Sequence, residues 1–340
     1  RDFIDYPYHG DLACVQAASV LRTAGMAVRF VNSFALPSSD LAPLEEAWVF
    51  MGAPIEDVVT ATQETDIIIV HYTPFHRPPT QEPSLATLLG RLREKHPDTP
   101  IILADLYQSG EHYVEAGASA ISGAYPQADV ILKYQGEVVL AQLCRELHET
   151  GRPPKPIFRD GPDVEYMDDL PLPAWDLVDL IARDQFMARV IAGMGRGPWA
   201  FPIDGRTLPL ITSRGCPHRC GHCSSNPGRS SGAAKRQVRH SPEHLSRSIS
   251  SLVDEYGATR IEIMDEMVNI DAKHFDHLVE RLDHHNIAYD FPNGMRADRV
   301  KPRHLKAMAG KITTLSVSAE SGVQAIVDTI VDKKLDLTTI

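Results

Sequence analysis

The chain runs to 340 residues, about two domains' worth, and is 43% hydrophobic and 23% charged, the balance of an ordinary globular protein. Its 34 Lys and Arg against 45 Asp and Glu leave a net charge of −11, which argues against a surface built to coat nucleic acid. No apolar run approaches the roughly 20 residues that cross a bilayer. The N-terminus carries no secretory pattern, and it opens on Arg1 rather than Met, so an upstream start is expected.

In chain order, Phe3–Tyr6 reads as an opening strand and Leu12, Val15, Ala18 and Leu21 as one face of a helix that Gly25 ends. Val28–Val31, Asp66–His71, Pro100–Ala104 and Asp129–Leu132 are near-continuous apolar runs, the signature of parallel strands covered on both faces. Between them, Leu85, Leu88, Leu89 and Leu92, then Leu140, Leu143, Cys144 and Leu147, space as helix stripes. This alternation implies right-handed crossovers and a doubly wound, Rossmann-like α/β domain over 1–150, with ligands beyond the carboxyl ends of its strands.

Residues 151–207 and their flank change character: nine prolines fall between Pro153 and Pro209, and the segment reads as a linker with short helical pieces such as Trp175–Phe186. Alternation resumes over 208–340. Leu208–Thr212, Arg260–Met264, Ile287–Phe291 and Thr314–Ala319 are strand candidates, Ser241 with Pro242 opens one helix, and Asp271 caps another. Four βα units in some 135 residues cannot close an eight-unit barrel, which takes about 250. A partial TIM-barrel-like domain, truncated at the C-terminus, is the expectation.

The five cysteines are unevenly placed. Cys14 and Cys144 sit on apolar helix stripes and read as core thiols, whereas Cys216, Cys220 and Cys223 crowd into eight residues directly after a strand. A trio of soft thiolates without a secretory signal points to an iron–sulfur cluster or zinc in a reducing cytoplasm. Zinc would recruit His218 or His222 as fourth ligand, but paired C-x2-C modules are its commoner form and no second pair exists. Three ligands on a four-iron cubane leave one iron open. His218, His240, His244, His284 and His285 read as solvated side chains.

The Cys216/Cys220/Cys223 spacing resembles the signature of the radical S-adenosylmethionine (SAM) enzymes. Three further segments extend the likeness. Met264-Asp265-Glu266 ends the second strand of the half-barrel, where the superfamily binds the SAM amino group; Arg296, in Asn293–Asp298, resembles an arginine facing the SAM carboxylate; Ser318 and Glu320, in Val317–Gly322, resemble the strand end near the ribose. Ala128–Glu137, with its Gly136-Glu137 turn, is similar to a cobalamin-binding domain, and Met167–Asp176 resembles the leucine-proline-x-proline connector of cobalamin-dependent radical SAM proteins. The Asp-x-His-x-x-Gly motif for a lower axial histidine is absent, and Ala104-Asp105-Leu106-Tyr107 occupies that strand end. By the same resemblance Tyr8, His9, Gly10, Thr73, Asp105, Tyr107, Gly136 and Glu137 would touch cobalamin.

The resemblance implies a [4Fe-4S] cluster, SAM and cobalamin as cofactors. It further implies a methyltransferase acting on an unactivated carbon of a small-molecule or natural-product substrate, served by an electron donor such as flavodoxin or ferredoxin, with no nucleic-acid or membrane partner. A cobalamin-dependent cyclase or rearrangement enzyme is the rival within enzymes, and a cobalamin- or zinc-binding regulatory module the rival outside them. A methylthiotransferase would need three more cysteines for a second cluster, and only two remain.

Overall fold

The computed structural model describes residues 12–45, 48–72, 81–107, 116–195, 201–202, 205–221, 223 and 236–340. The expected strand at Phe3–Tyr6, the candidates Tyr8, His9 and Gly10, and Thr73 lie outside them.

The chain enters through α1 (Leu12–Thr23) and an antiparallel hairpin, β1 (Asp40–Glu45) with β2 (Trp48–Gly52). There follow α2 (Ile55–Ala61), β3 (Ile68–His71), α3 (Pro83–Lys95), β4 (Ile101–Ala104), α4 (Ala118–Ala124), β5 (Val130–Tyr134), α5 (Glu137–Thr150) and β6 (Ile157–Gly161). Strands β3-β4-β5-β6 pair in that order, all parallel. Alternate residues explain why the strands are apolar throughout. Ile101, Leu103 and Ile131 point into a core with Leu85, Leu89 and Leu92 of α3. Ile102, Ala104, Val130 and Leu132 meet Ala13, Ala17 and Leu21 of α1 and Leu140, Leu143 and Cys144 of α5 on the other face. Helices on both faces are what the sequence pattern implied.

Strand β6 lies past residue 150, so the sheet extends into the proline-rich segment. There Trp175–Leu177 forms a single 3-10 turn, and Asp179, accepting from the Ala182 amide at 3.0 Å, restarts the chain as α6 (Leu180–Met194). The long helix is thus offset from the expected Trp175–Phe186 piece by its own capping aspartate.

The second half contains β7 (Thr207–Leu210), the short antiparallel pair β8 (Ser213–Arg214) and β9 (Val238–Arg239), α7 (Pro242–Ser250), β10 (Arg260–Ile263), α8 (Ala272–His284), β11 (Ala288–Asp290), α9 (Pro302–Met308) and α10 (Gln324–Ile326). The caps are as expected: Ser241 Oγ accepts from the His244 amide at 3.1 Å and Asp271 from the His274 amide at 2.8 Å. Parallel strands β11-β10-β7 carry Leu208, Leu210, Ile261, Ile263 and Tyr289 into a core with Leu245 and Ile249 of α7 and Phe275, Leu278 and Leu282 of α8. The opposite face is polar and buried, with Glu262 beside Asp290.

Two strand expectations fail. Val28–Val31 makes no ladder: Val28 packs against the core of the first sheet and Phe30 against that of the second, so its apolar pattern records docking between two cores. Thr314–Ala319 yields one parallel bridge, Met295 with Val317. The amides of Thr313 and Thr314 are already bound by Asp290 Oδ1, at 2.7 and 3.2 Å, which removes the donors that would start a fourth strand.

Candidate functional site

Strand β7 ends at Leu210, and the chain passes Thr212, Ser213 and Arg214 before the cysteine loop. Two glycines make that loop possible. Gly215 has φ +85°, and a Cβ there would meet the Arg236 carbonyl oxygen at 2.3 Å. Gly221 donates its N–H to the Val331 carbonyl at 2.8 Å, and a Cβ would meet the Ile330 carbonyl oxygen at 2.8 Å. Cys216, Cys220 and Cys223 are half-buried and in no disulfide, and the Cys223 amide closes a turn onto the Cys220 carbonyl at 3.1 Å.

Three soft thiolate donors on one glycine-relieved loop are a donor set that an iron–sulfur cluster can take, as zinc can with a fourth ligand.

Around the loop the structure gathers the three segments the sequence singled out. Asp265, just past β10, is wholly buried. It accepts from the Thr212 amide (2.6 Å), Thr212 Oγ1 (2.6 Å) and Ser213 Oγ (2.5 Å), so it ties down the strand end that launches the cysteines. Burial keeps its carboxyl above the ordinary aspartate range even against these bonds. The carbonyls of Met264 and Asp265 accept from Asn293 Nδ2 at 3.2 and 3.1 Å. Arg296 is buried, and its guanidinium binds both oxygens of Asp298 (2.9 and 3.0 Å) and the carbonyls of Lys333 (2.9 Å) and Lys334 (2.8 Å). Glu320, in the left-handed region at φ 60°, takes Lys333 Nζ on both oxygens at 2.7 Å, and the same ammonium donates to the Ser318 carbonyl. Burial first, then the positive field of Arg296, lowers the His218 imidazole on the loop.

The first-sheet candidates divide. Asp105 is buried at the end of β4 and accepts from the Tyr134 amide at 3.1 Å, fixing a non-glycine residue at φ 63°. Gly136 is required by crowding: a Cβ would meet the Leu132 side chain at 2.8 Å. Glu137 pairs with Arg214, which also donates to Gln135 Oε1 (3.0 Å) and lies 4.2 Å over the Tyr107 ring. The Tyr107 hydroxyl donates to Glu266 Oε1 at 2.6 Å. Tyr107 and Glu137 follow β4 and β5, while Arg214 and Glu266 follow β7 and β10, so the carboxyl edges of the two sheets face each other.

Several contributors were not singled out from sequence. Arg214 acts through partners 79 and 77 residues away, which no local pattern marks; Gln135, Asn293 and Asp298 fall inside segments that carry the resemblance but were given no role there, and Asp298 stands two residues from its partner Arg296. Asp168 had a signal, since it lies in the proline connector. It accepts from the Ser241 amide (2.9 Å) and bonds His240 Nδ1 (3.0 Å) at the head of α7. Here the expectation of solvated histidines is corrected: His240 and His244 are buried and stacked, ring centroids 4.0 Å apart at 8°. Burial first, then neighbouring His244, pushes His240 down to about 3. Hydrogen bonds from Ser241 and His240 outweigh burial on Asp168 and hold its carboxyl at about 2. Metal bonds lie in the imidazole plane, and two near-parallel rings 4.0 Å apart share no such point for one ion. Cys144 is a core thiol as expected, pushed up to about 11 by burial, and Cys14 is half-buried.

The chain shares the fold of the cobalamin-dependent S-adenosylmethionine radical enzyme OxsB, on which it superposes with a TM-score of 0.51 at 16% identity, covering 87% of this chain and 39% of that one. By sequence it is 26% identical over 223 residues to an uncharacterized methyltransferase of Pyrococcus horikoshii, covering 60% of this chain and 42% of the relative. It is 25% identical over 172 residues to the cytidylyl-2-hydroxyethylphosphonate methyltransferase of Streptomyces wedmorensis, covering 50% of this chain and 30% of the relative. The chain thus spans less than half the length of these curated relatives. No family model matches it. No helix among the described residues is long and apolar enough to cross a membrane.

Proposed function

We propose that this chain is the cofactor-binding part of a cobalamin-dependent radical SAM methyltransferase, with a cobalamin-binding unit that extends past 150 through β6 to Gly161, a connector from there to 207, and 208–340 as the radical SAM unit. The observation that carries the reading is three half-buried thiols on one glycine-relieved loop past the end of a parallel strand, in a chain whose two parallel sheets meet near their carboxyl edges through Tyr107 and Glu266. The names of the two curated relatives, both methyltransferases, support the class of reaction.

Cys216, Cys220 and Cys223 would hold a [4Fe-4S] cluster, which when bound supplies the electron for reductive cleavage of SAM, while cobalamin supplies the methyl carrier. The chain's own residues position and enclose. Asp265 anchors the strand end ahead of the loop, and Arg296 and Lys333 brace the segments around 298, 320 and 334. Met264, Asp265, Glu266, Arg296, Ser318 and Glu320 wall the SAM pocket in this reading, Asp265 and Arg296 from behind, through the loops they fix. Asp105, Tyr107, Gly136 and Glu137, with Tyr8, His9, Gly10 and Thr73, belong to the corrin side. A small-molecule or natural-product substrate, a flavodoxin- or ferredoxin-type donor and a cytoplasmic setting complete the proposal.

Anaerobic reconstitution with iron, sulfide, hydroxocobalamin and SAM tests it. Visible spectra are expected to show a corrin band and a cluster shoulder, with about four irons per chain. Cys220→Ala is expected to lose the cluster and SAM cleavage and to keep the corrin. Full SAM cleavage by that variant overturns the assignment, and one zinc with no iron overturns the class. Release of S-adenosylhomocysteine with a methylated product identifies methyl transfer.

A further inference from the structure

Arg214 stands two residues ahead of Cys216, and the reading above gives it no task. It is buried, with its side chain 3% exposed, and every partner that binds its side chain belongs to the other sheet. Glu137, equally buried at the first turn of α5, supplies the counter-charge; Gln135 Oε1 accepts a second bond at 3.0 Å; the Tyr107 ring lies 4.2 Å beneath the guanidinium carbon. Tyr107 then reaches back through its hydroxyl to Glu266, just past β10. Two crossings in opposite directions close a ring: from the cysteine strand to the first sheet through Arg214, and from the first sheet to the end of β10 through Tyr107. A planar guanidinium suits this position because it lies flat on the Tyr107 ring while its Nη1 donates to both acceptors; an ammonium can donate to both but has no flat face to stack. Arg214 Nε and Glu137 Oε2 carry no hydrogen bond, so the pair is held by one oxygen and by the stack.

We propose that Arg214 is a positioning residue that clamps the start of the cysteine loop to Glu137 and Tyr107 of the first sheet, setting the separation and orientation of the cluster relative to the corrin face. The proposal rests on the cofactor reading for its consequence, and on the geometry alone for the clamp. Glu137 and Tyr107, expected as corrin contacts from sequence, are shared in this account between the two sites.

The first measurement needs no cofactor. Hydrogen exchange of the peptide spanning 211–221 in the apo chain is expected to run about tenfold faster in Glu137→Gln and in Arg214→Lys, the loss of one charge-assisted bond. Exchange in β4 and α3 stays unchanged. In the double variant the two effects do not add, because they report one interaction. Unchanged exchange in both single variants overturns the clamp.

The second measurement uses the loaded protein. In wild type, the dipolar splitting between Co(II) of bound cobalamin and the reduced cluster is expected to be sharp. In Arg214→Lys it broadens, while iron content and each separate signal remain. Tyr107→Phe keeps the ring and moves the splitting less. An unchanged splitting in Arg214→Lys, with both cofactors bound, overturns the positioning role. Failure of wild type to assemble a cluster removes the cofactor reading and with it the positioning role, while the exchange experiment still decides the clamp.

Discussion

The two parallel sheets confront each other edge to edge, yet they use their strand-end acids differently. On the first sheet Asp105 turns inward to a backbone amide of its own domain, and Glu137 turns outward to an arginine of the other. On the second, Asp265 gathers three donors from the neighbouring strand end, directly ahead of the thiols. The contrast teaches that an acid just past a parallel strand is a good marker of where a site lies and a poor marker of what touches the ligand. Buried carboxylates need hydrogen bonds, and the closest donors are usually protein.

That contrast can be broken at its strongest point first. Asp265→Ala leaves three donors unsatisfied in a fully buried place, and the expected cost is about 3–5 kcal/mol in urea unfolding; Asp265→Asn, which keeps an acceptor, costs less. A loss below about 1 kcal/mol for the alanine variant would show that the acid does not anchor the loop.

Acid sharpens the picture at the connector. The His240 imidazole is held at about 3 when folded, against 6.5 ordinarily, by burial and then by His244. As pH falls below 6.5 the unfolded chain takes up a proton that the folded chain refuses. Stability is therefore full above pH 6.5 and declines toward pH 3, by about 2 kcal/mol at pH 5 from this group alone. Unfolding titrations at pH 7, 6 and 5 measure it, and His240→Gln should flatten the slope. An equal slope in the variant would place the proton uptake elsewhere.

The smallest effect belongs to the first sheet. Asp105→Asn should cost about 1 kcal/mol, because an amide oxygen still accepts from the Tyr134 N–H, and iron loading should not change. A loss of iron equal to that of the cysteine variant would erase the distinction between the two edges.

Much was legible in one dimension because it is local. Ile101–Ala104 and Val130–Leu132 announce strands covered twice, Ser241 and Asp271 announce helix starts, and the cysteine spacing marks a loop that the structure sets shortly after β7. What misled was strand-like sequence that the fold put to other uses. Thr314–Ala319 has strand composition, but Asp290 holds its first amides; Val28–Val31 has strand hydropathy, but divides its side chains between two cores.

Period, caps and ligand spacing were thus decided within a few residues of each other, by backbone hydrogen bonding and donor chemistry alone. The pairing of Glu320 with Lys333, the bracing of Arg296 and the bridge from Arg214 to Glu137 join groups between 13 and 77 residues apart. Such contacts have no local signature. A buried charge takes whichever opposite charge the packed sheets bring within reach, and only the folded chain fixes which one that is.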